Sequence, residues 1–213
     1  MKLYSYWRSS AAYRVRIALN LKNLPYEQVV IHLARDEHHA AEYLHMNPQS
    51  LVPALEHQGQ VFVQSLAIIE YLDSVADQPR LLPLNPTDRA HVSAMAQAIA
   101  CDIHPLNNLR VLNYLKNEMA QPAPAISQWY AHWIHQTFSA LEQWALRYSS
   151  VGRYLFRDAV SVADVLLVPQ LYNARRFAMV LDDYPTLVAI DAHLHSLPAF
   201  VAASPERQPD AVV

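Results

Sequence analysis

Residues 2–22 read KLYSYWRSSAAYRVRIALNLK, and the change of period inside this run decides the fold. Through Trp7 the residues alternate as in a strand, whereas beyond the serines Ala12, Val15, Ala18 and Leu19 recur at helical spacing. Either Ser9 or Ser10 can cap that helix, because a serine oxygen accepts from a first-turn N–H. The chain therefore opens β then α. Downstream, LPYEQVVIHL (24–33) reads as a second strand started after Pro25, and EHHAAEYLHMNP (37–48) as a short helix stopped by Pro48. A βαβα order favours a parallel strand pair joined by a crossover helix.

VPALEHQGQVFVQSLAIIEYLDS (52–74) then holds two short β-rich runs split at His57–Gln60, where Gly59 supplies a hairpin turn. A helix follows from Ser65, with Ile68, Ile69 and Leu72 as its inward stripe. Residues 77–88, DQPRLLPLNPTD, carry three prolines and form the linker. Beyond it strand signals vanish, and residues 87–118, 124–149, 161–180 and 184–196 read as helices. The expected architecture is an α/β domain over 1–80 followed by an all-α domain over 87–213.

Composition narrows the chemistry. The 213 residues are 53% hydrophobic, enough for a real core, and the net charge of -3 gives no footprint for nucleic acid or an anionic membrane. Neither a signal peptide nor a membrane span is read, so a cytoplasmic protein acting on a small molecule is expected. Cys101 is the single cysteine, which excludes an internal disulfide, a CxxC redox pair and a metal-thiolate site. Two glycines leave neither a GxGxxG turn nor a phosphate loop. His38, Glu42 and His45 fall on one face of the expected 37–48 helix but lack HExxH order, so no metal is expected. SVAD (161–164) reads as a capping box ahead of an apolar run, Trp129, Trp133 and Trp144 as packing residues, and Cys101 as a buried small apolar residue.

The order of elements, together with SYWRSSAAYRVRIALNLK (5–22), NPQSLVPALEHQGQVFVQSLAIIEYL (47–72), DIHPLNNLRVL (102–112), NARRFAMVLDDYPTL (173–187) and RQPD (207–210), resembles the zeta class of the glutathione transferase superfamily. The resemblance covers essentially the whole chain. It implies a thioredoxin-like N-terminal domain, a helical C-terminal domain, glutathione as cofactor and a homodimer. The implied activity is cis–trans isomerisation of maleylacetoacetate in tyrosine and phenylalanine catabolism. Maleylpyruvate isomerisation, general glutathione conjugation and a non-catalytic binding module stay open beside it. One departure is Ala11, which stands where the family often has a cysteine after Ser-Ser.

Such an isomerisation can proceed by adding a thiolate, rotating about the resulting single bond and expelling the thiolate. A thiol of pKa about 8.5 is mostly protonated at neutral pH, so the site must favour a negative sulfur. Ser9 and Ser10, at a helix start, offer backbone N–H groups and hydroxyls for that task. The plain alternative is that one of them only caps the helix. The resemblance further implies a cis Val52-Pro53 peptide that exposes the Val52 backbone to glutathione, and Gln49 as a further contact. Gln64 and Ser65 open the next helix and suit the γ-glutamyl carboxylate. A dicarboxylate substrate needs fork-like cations, and Arg8, Arg110 and Arg176 are the candidates. His104 and Asn108, four apart on an expected helix from Ile103 to Leu115, share a face with Asn107 close by, and are placed to reach glutathione or substrate. An interior, hydrogen-bonded His104 is the equal alternative.

Overall fold

A computed structural model describes residues 1–212, which divide into two compact units: Met1–Leu81 together with the chain from His195 onward, and Leu82–Leu194. The first unit is built in the expected order, β1 (Lys2–Ser5), α1 (Ser10–Leu21), β2 (Glu27–Val30), α2 (Ala41–Met46), β3 (Ala54–His57), β4 (Gln60–Val63) and α3 (Ser65–Val75). Its sheet runs β2-β1-β3-β4, with β1 parallel to β2 and antiparallel to β3. The β3–β4 hairpin turns at Gln58 (φ 53) and Gly59 (φ 74), the paired positive φ values that a two-residue turn matched to strand twist requires. Leu3, Leu55, Ile68, Ile69 and Leu72 are fully buried between sheet and helices. Each contributes about 1.5–3 kcal/mol, more than any single cap, so this stripe fixes which faces meet.

The expected 37–48 helix is not continuous. Residues 33–35 and 37–39 form single 3-10 turns around Asp36 (φ 63), Ala40 is extended, and only α2 is α-helical. His38, Glu42 and His45 therefore share no helical face, and the ring of His39 instead sits with Nδ1 2.6 Å from Asp36 Oδ1.

The second unit contains α4 (Pro86–Gln97), α5 (Leu109–Asn117), α6 (Ala123–Tyr148), α7 (Val162–Arg176) and α8 (Pro185–Leu194). Its core is apolar, with Ile99, Ile134, Phe138, Leu141, Leu166, Leu167, Leu187 and Ile190 fully buried. The single helix expected over 87–118 breaks instead. After α4 the chain widens into a π-turn over Ala98–Ile103, in which the His104 N–H reaches Ile99 C=O at 3.0 Å. Pro105 has no N–H to continue the ladder, and Asn108 restarts it by accepting from the Arg110 N–H at 3.1 Å. Cys101 lies on the π-turn and is exposed, contrary to the buried position expected of it. Trp129, Trp133 and Trp144 are half-buried.

α7 begins with the capping box read from the sequence. Asp164 accepts from the Ser161 N–H at 2.8 Å, the Ser161 hydroxyl at 2.9 Å and the Leu155 N–H at 2.8 Å. The carboxyl has no exposure, and burial pushes its pKa up to about 6 against the lowering by these donors. At the C-terminus the second domain was expected to run to 213, whereas the chain from His195 onward groups with the first unit. There α9 (Pro198–Ala203) packs on α1, and Asn20 Nδ2 donates to Ala199 C=O at 3.1 Å.

Candidate functional site

Sheet register brings the three candidate segments of the first unit to one place. Tyr4 near the end of β1 pairs with Ala54 at the start of β3, and Ala54 pairs with Val63 at the end of β4. The loop into α1, the Val52-Pro53 peptide and the entry to α3 therefore all leave the sheet at the same end. Among the predicted residues this joins Ser9, Ser10, Val52, Pro53, Gln64 and Ser65.

Ser9 is the N-cap of α1, and its Oγ accepts from the Ala12 N–H at 3.2 Å. An accepting hydroxyl oxygen keeps its own proton to donate. Ser10 is the first helical residue and is buried, as is Ala11. The first turn of α1 carries no acidic side chain, so no acid within the helix offsets its positive end. Val52-Pro53 is cis, and Val52 precedes the first ladder residue of β3. Gln64, with φ 69, caps α3, and its Nε2 donates to Gln49 Oε1 at 2.8 Å, which draws Gln49 into the same cluster.

A residue absent from the sequence reading stands behind Ser65. Arg14 is 1% exposed, and its Nη1 donates to Ser65 Oγ at 3.2 Å. The first turn of α3 also lacks an acidic side chain. A desolvated cation under a helix N-terminus favours an anion there more than the helix end alone would. The signal in the sequence was two arginines, Arg14 and Arg16, interrupting an otherwise apolar helix. Arg8, by contrast, is exposed and lies with its guanidinium carbon 4.3 Å from the Trp7 ring centroid.

The second unit holds the remaining candidates. His104 and Asn108 sit at the two ends of the turn between the π-turn and α5, so they do not share the helical face expected of them. Asn108 Oδ1 is engaged in capping α5, and Arg110 is exposed in the first turn of that helix. The turn is fastened to α6: Trp129 Nε1 donates to Leu106 C=O at 3.0 Å, and Asn107 Nδ2 to Tyr130 C=O at 2.9 Å. Arg176, exposed in the last turn of α7, lies 5.0 Å from the Phe177 ring centroid and hydrogen-bonds the Tyr130 side chain. Tyr130 stacks on Phe177 at 3.6 Å, and burial pushes its hydroxyl up to about 12, against the pull of Arg176. Arg176 is thus held by the Phe177 ring and the Tyr130 hydroxyl.

Comparison with known proteins places this geometry. Residues 1–74 match the family described as glutathione S-transferase, N-terminal domain. The chain is 50% identical over 211 residues to a probable maleylacetoacetate isomerase of Vibrio cholerae, covering 98% of this chain and 97% of that one. A solved holo structure of a maleyl pyruvate isomerase, a bacterial zeta-class glutathione-s-transferase, is 45% identical, with TM-score 0.97 and full coverage of both chains. A maleylacetoacetate isomerase structure from Methylobacterium extorquens AM1, with bound malonate and GSH, is 37% identical, with TM-score 0.92 and full coverage of both.

Proposed function

Since this chain belongs to the zeta class of the glutathione transferases, we propose that it is a glutathione-dependent cis–trans isomerase acting on maleylacetoacetate. The observation that carries the site is the Tyr4–Ala54–Val63 register, which gathers Ser9, Val52 and Ser65 at one end of the sheet. The residues present fit glutathione. Two helix N-termini free of first-turn acids, one backed by buried Arg14, suit its thiolate and its γ-glutamyl carboxylate.

When bound, glutathione supplies the thiolate that adds to the cis double bond and leaves after rotation. The chain supplies the field. Ser9 donates its hydroxyl proton toward the sulfur, and the first N–H groups of α1 stabilise negative charge there. Each unit of thiol pKa depression corresponds to about 1.4 kcal/mol. Ser10 assists from within the first turn. Ser65 and the α3 N–H groups hold the γ-glutamyl carboxylate, with Gln64 and Gln49 beside it, and the Val52 backbone pairs with the cysteinyl backbone. His104 and Asn108 are further cofactor contacts. Arg8, Arg110 and Arg176 take the substrate carboxylates, Arg176 being the best preorganised of the three because the Tyr130 hydroxyl and the Phe177 ring both engage it. The reading includes a homodimer, drawn from the family, and a cytoplasmic setting. Among the described residues no helix is long and apolar enough to cross a membrane.

Maleylpyruvate is the second reading, favoured by the 0.97 TM-score to a maleyl pyruvate isomerase. Calorimetry with glutathione, followed by isomerisation assays on both substrates, separates these. Binding with turnover of maleylacetoacetate is expected. Turnover of maleylpyruvate alone would select the second reading, and conjugation of aromatic electrophiles without either isomerisation would reject both. No glutathione binding would leave only a non-catalytic module.

A further inference from the structure

Between β1 and the Ser9 cap the chain passes through Trp7 and Arg8, and both backbone polar groups of Trp7 end on ionisable side chains. Its N–H donates to Asp210 Oδ2 at 2.9 Å, and its C=O accepts from Arg16 Nη2 at 3.1 Å. Arg16 is fully buried and immobilised by two more bonds, from Nε to Ala203 C=O at 3.0 Å and from Nη1 to Ser5 Oγ at 3.1 Å. Burial brings its pKa down to about 10, so it stays cationic at neutral pH, with Tyr26, Tyr13 and Asp210 favouring the charged form. Asp210 comes from the C-terminal tail, and its second oxygen lies 3.4 Å from Gln28 Nε2 on β2. An anion and a cation therefore grip the two successive peptide groups that flank the Trp7 Cα. Those peptides lie within a tight turn, closed by the Ser9 N–H donating to Tyr6 C=O at 2.9 Å, so rotation at Trp7 is passed directly to Ser9.

We propose that Asp210 is a positioning residue which, with Arg16, clamps the backbone on both sides of the Trp7 Cα and so sets where the Ser9 hydroxyl and the first N–H groups of α1 stand to meet the glutathione sulfur. The proposal rests on the glutathione reading of the sheet-end site. A buried cation alone would hold the carbonyl side. The tail carboxylate makes the grip two-sided, and it explains in physical terms why the last turn of the chain belongs with the first unit.

The test compares Asp210→Ala and Asp210→Asn with the wild type in the full chain, by amide hydrogen exchange at Trp7 and by titration of the bound glutathione thiol. In Asp210→Ala the Trp7 amide should exchange about 10-fold faster or more, because a bond to a carboxylate is lost from a locally opening segment. The pKa of the bound thiol should move toward the free value of about 8.5. Asp210→Asn retains an acceptor oxygen and should restore most of both. Unchanged Trp7 exchange in Asp210→Ala overturns the clamp, and faster exchange with an unmoved thiol pKa reduces Asp210 to a structural contact and overturns its positioning role. A wild type that binds no glutathione defeats the reading of the site, and the positioning role with it. The exchange data still report separately whether the clamp is present.

Discussion

Ser9 and Ser65 in the first unit and Arg110 and Arg176 in the second are proposed to serve one reaction, yet they are held in different ways. In the first unit the polar groups are helix caps and backbone N–H groups whose places follow from strand register, and buried Arg14 and Arg16 brace them from behind. In the second the candidate cations are exposed and stand on helix ends, and only Arg176 has a support, from Tyr130 and Phe177. A cofactor common to a whole class is met by backbone, which tolerates sequence change. A variable substrate is met by long side chains, which can be exchanged without refolding the unit.

The contrast breaks if the buried polar groups of the second unit serve chemistry rather than folding. Asp164→Ala should cost about 4 kcal/mol of stability in chemical denaturation, since it strands two buried N–H groups and a hydroxyl, while glutathione affinity of the folded protein stays unchanged. Altered affinity at intact stability would reverse that assignment. The same carboxyl gives a pH signature. Its folded pKa of about 6 lies above the ordinary aspartate value of 3.8, so the folded state binds the proton more tightly. The stability it adds is complete below pH 3.8 and is lost as the pH rises through about 6, a slope that Asp164→Asn should remove from a denaturation series.

Ser9→Ala sharpens the first-unit side. It should lower kcat/KM for isomerisation about 100-fold, as loss of one preorganised donor does, and cost about 1 kcal/mol of stability through the lost cap. A stability loss with undiminished kcat/KM would return Ser9 to simple capping. Next in size, Arg176→Ala should raise the substrate KM about 10-fold with glutathione affinity unchanged, and Tyr130→Phe should do so by less. Equal loss of both affinities would erase the division between the units. Ser65→Ala is expected to have the smallest effect, about 5-fold in glutathione affinity by calorimetry, because the α3 N–H groups and Arg14 remain.

How much of this could be read beforehand follows the same division. The alternation in residues 2–7, the Gln58-Gly59 turn and the Ser161–Asp164 box are local signals, and each formed as expected. Ser9, Ser65 and cis Pro53 became legible through the motif they belong to, and the register then showed why they converge. What stayed hidden was non-local. Periodicity ran unbroken across 98–108, so the π-turn and the restart at Asn108 could not be seen, and the face shared by His104 and Asn108 went with them. Arg14 and Arg16 were not singled out, because nothing in the sequence states that Ser65, Ala203 and Trp7 will meet them. The tail from His195 was assigned with its sequence neighbours, whereas its partners lie in α1.

The most direct measurement is a spectrophotometric assay of maleylacetoacetate isomerisation by wild type and Ser9→Ala, each with and without glutathione. Turnover by the wild type only when glutathione is present, and about 100-fold reduced kcat/KM in the variant, is the expected result. Turnover without glutathione, or an undiminished rate in Ser9→Ala, would contradict a reaction run by a borrowed thiolate at the start of α1.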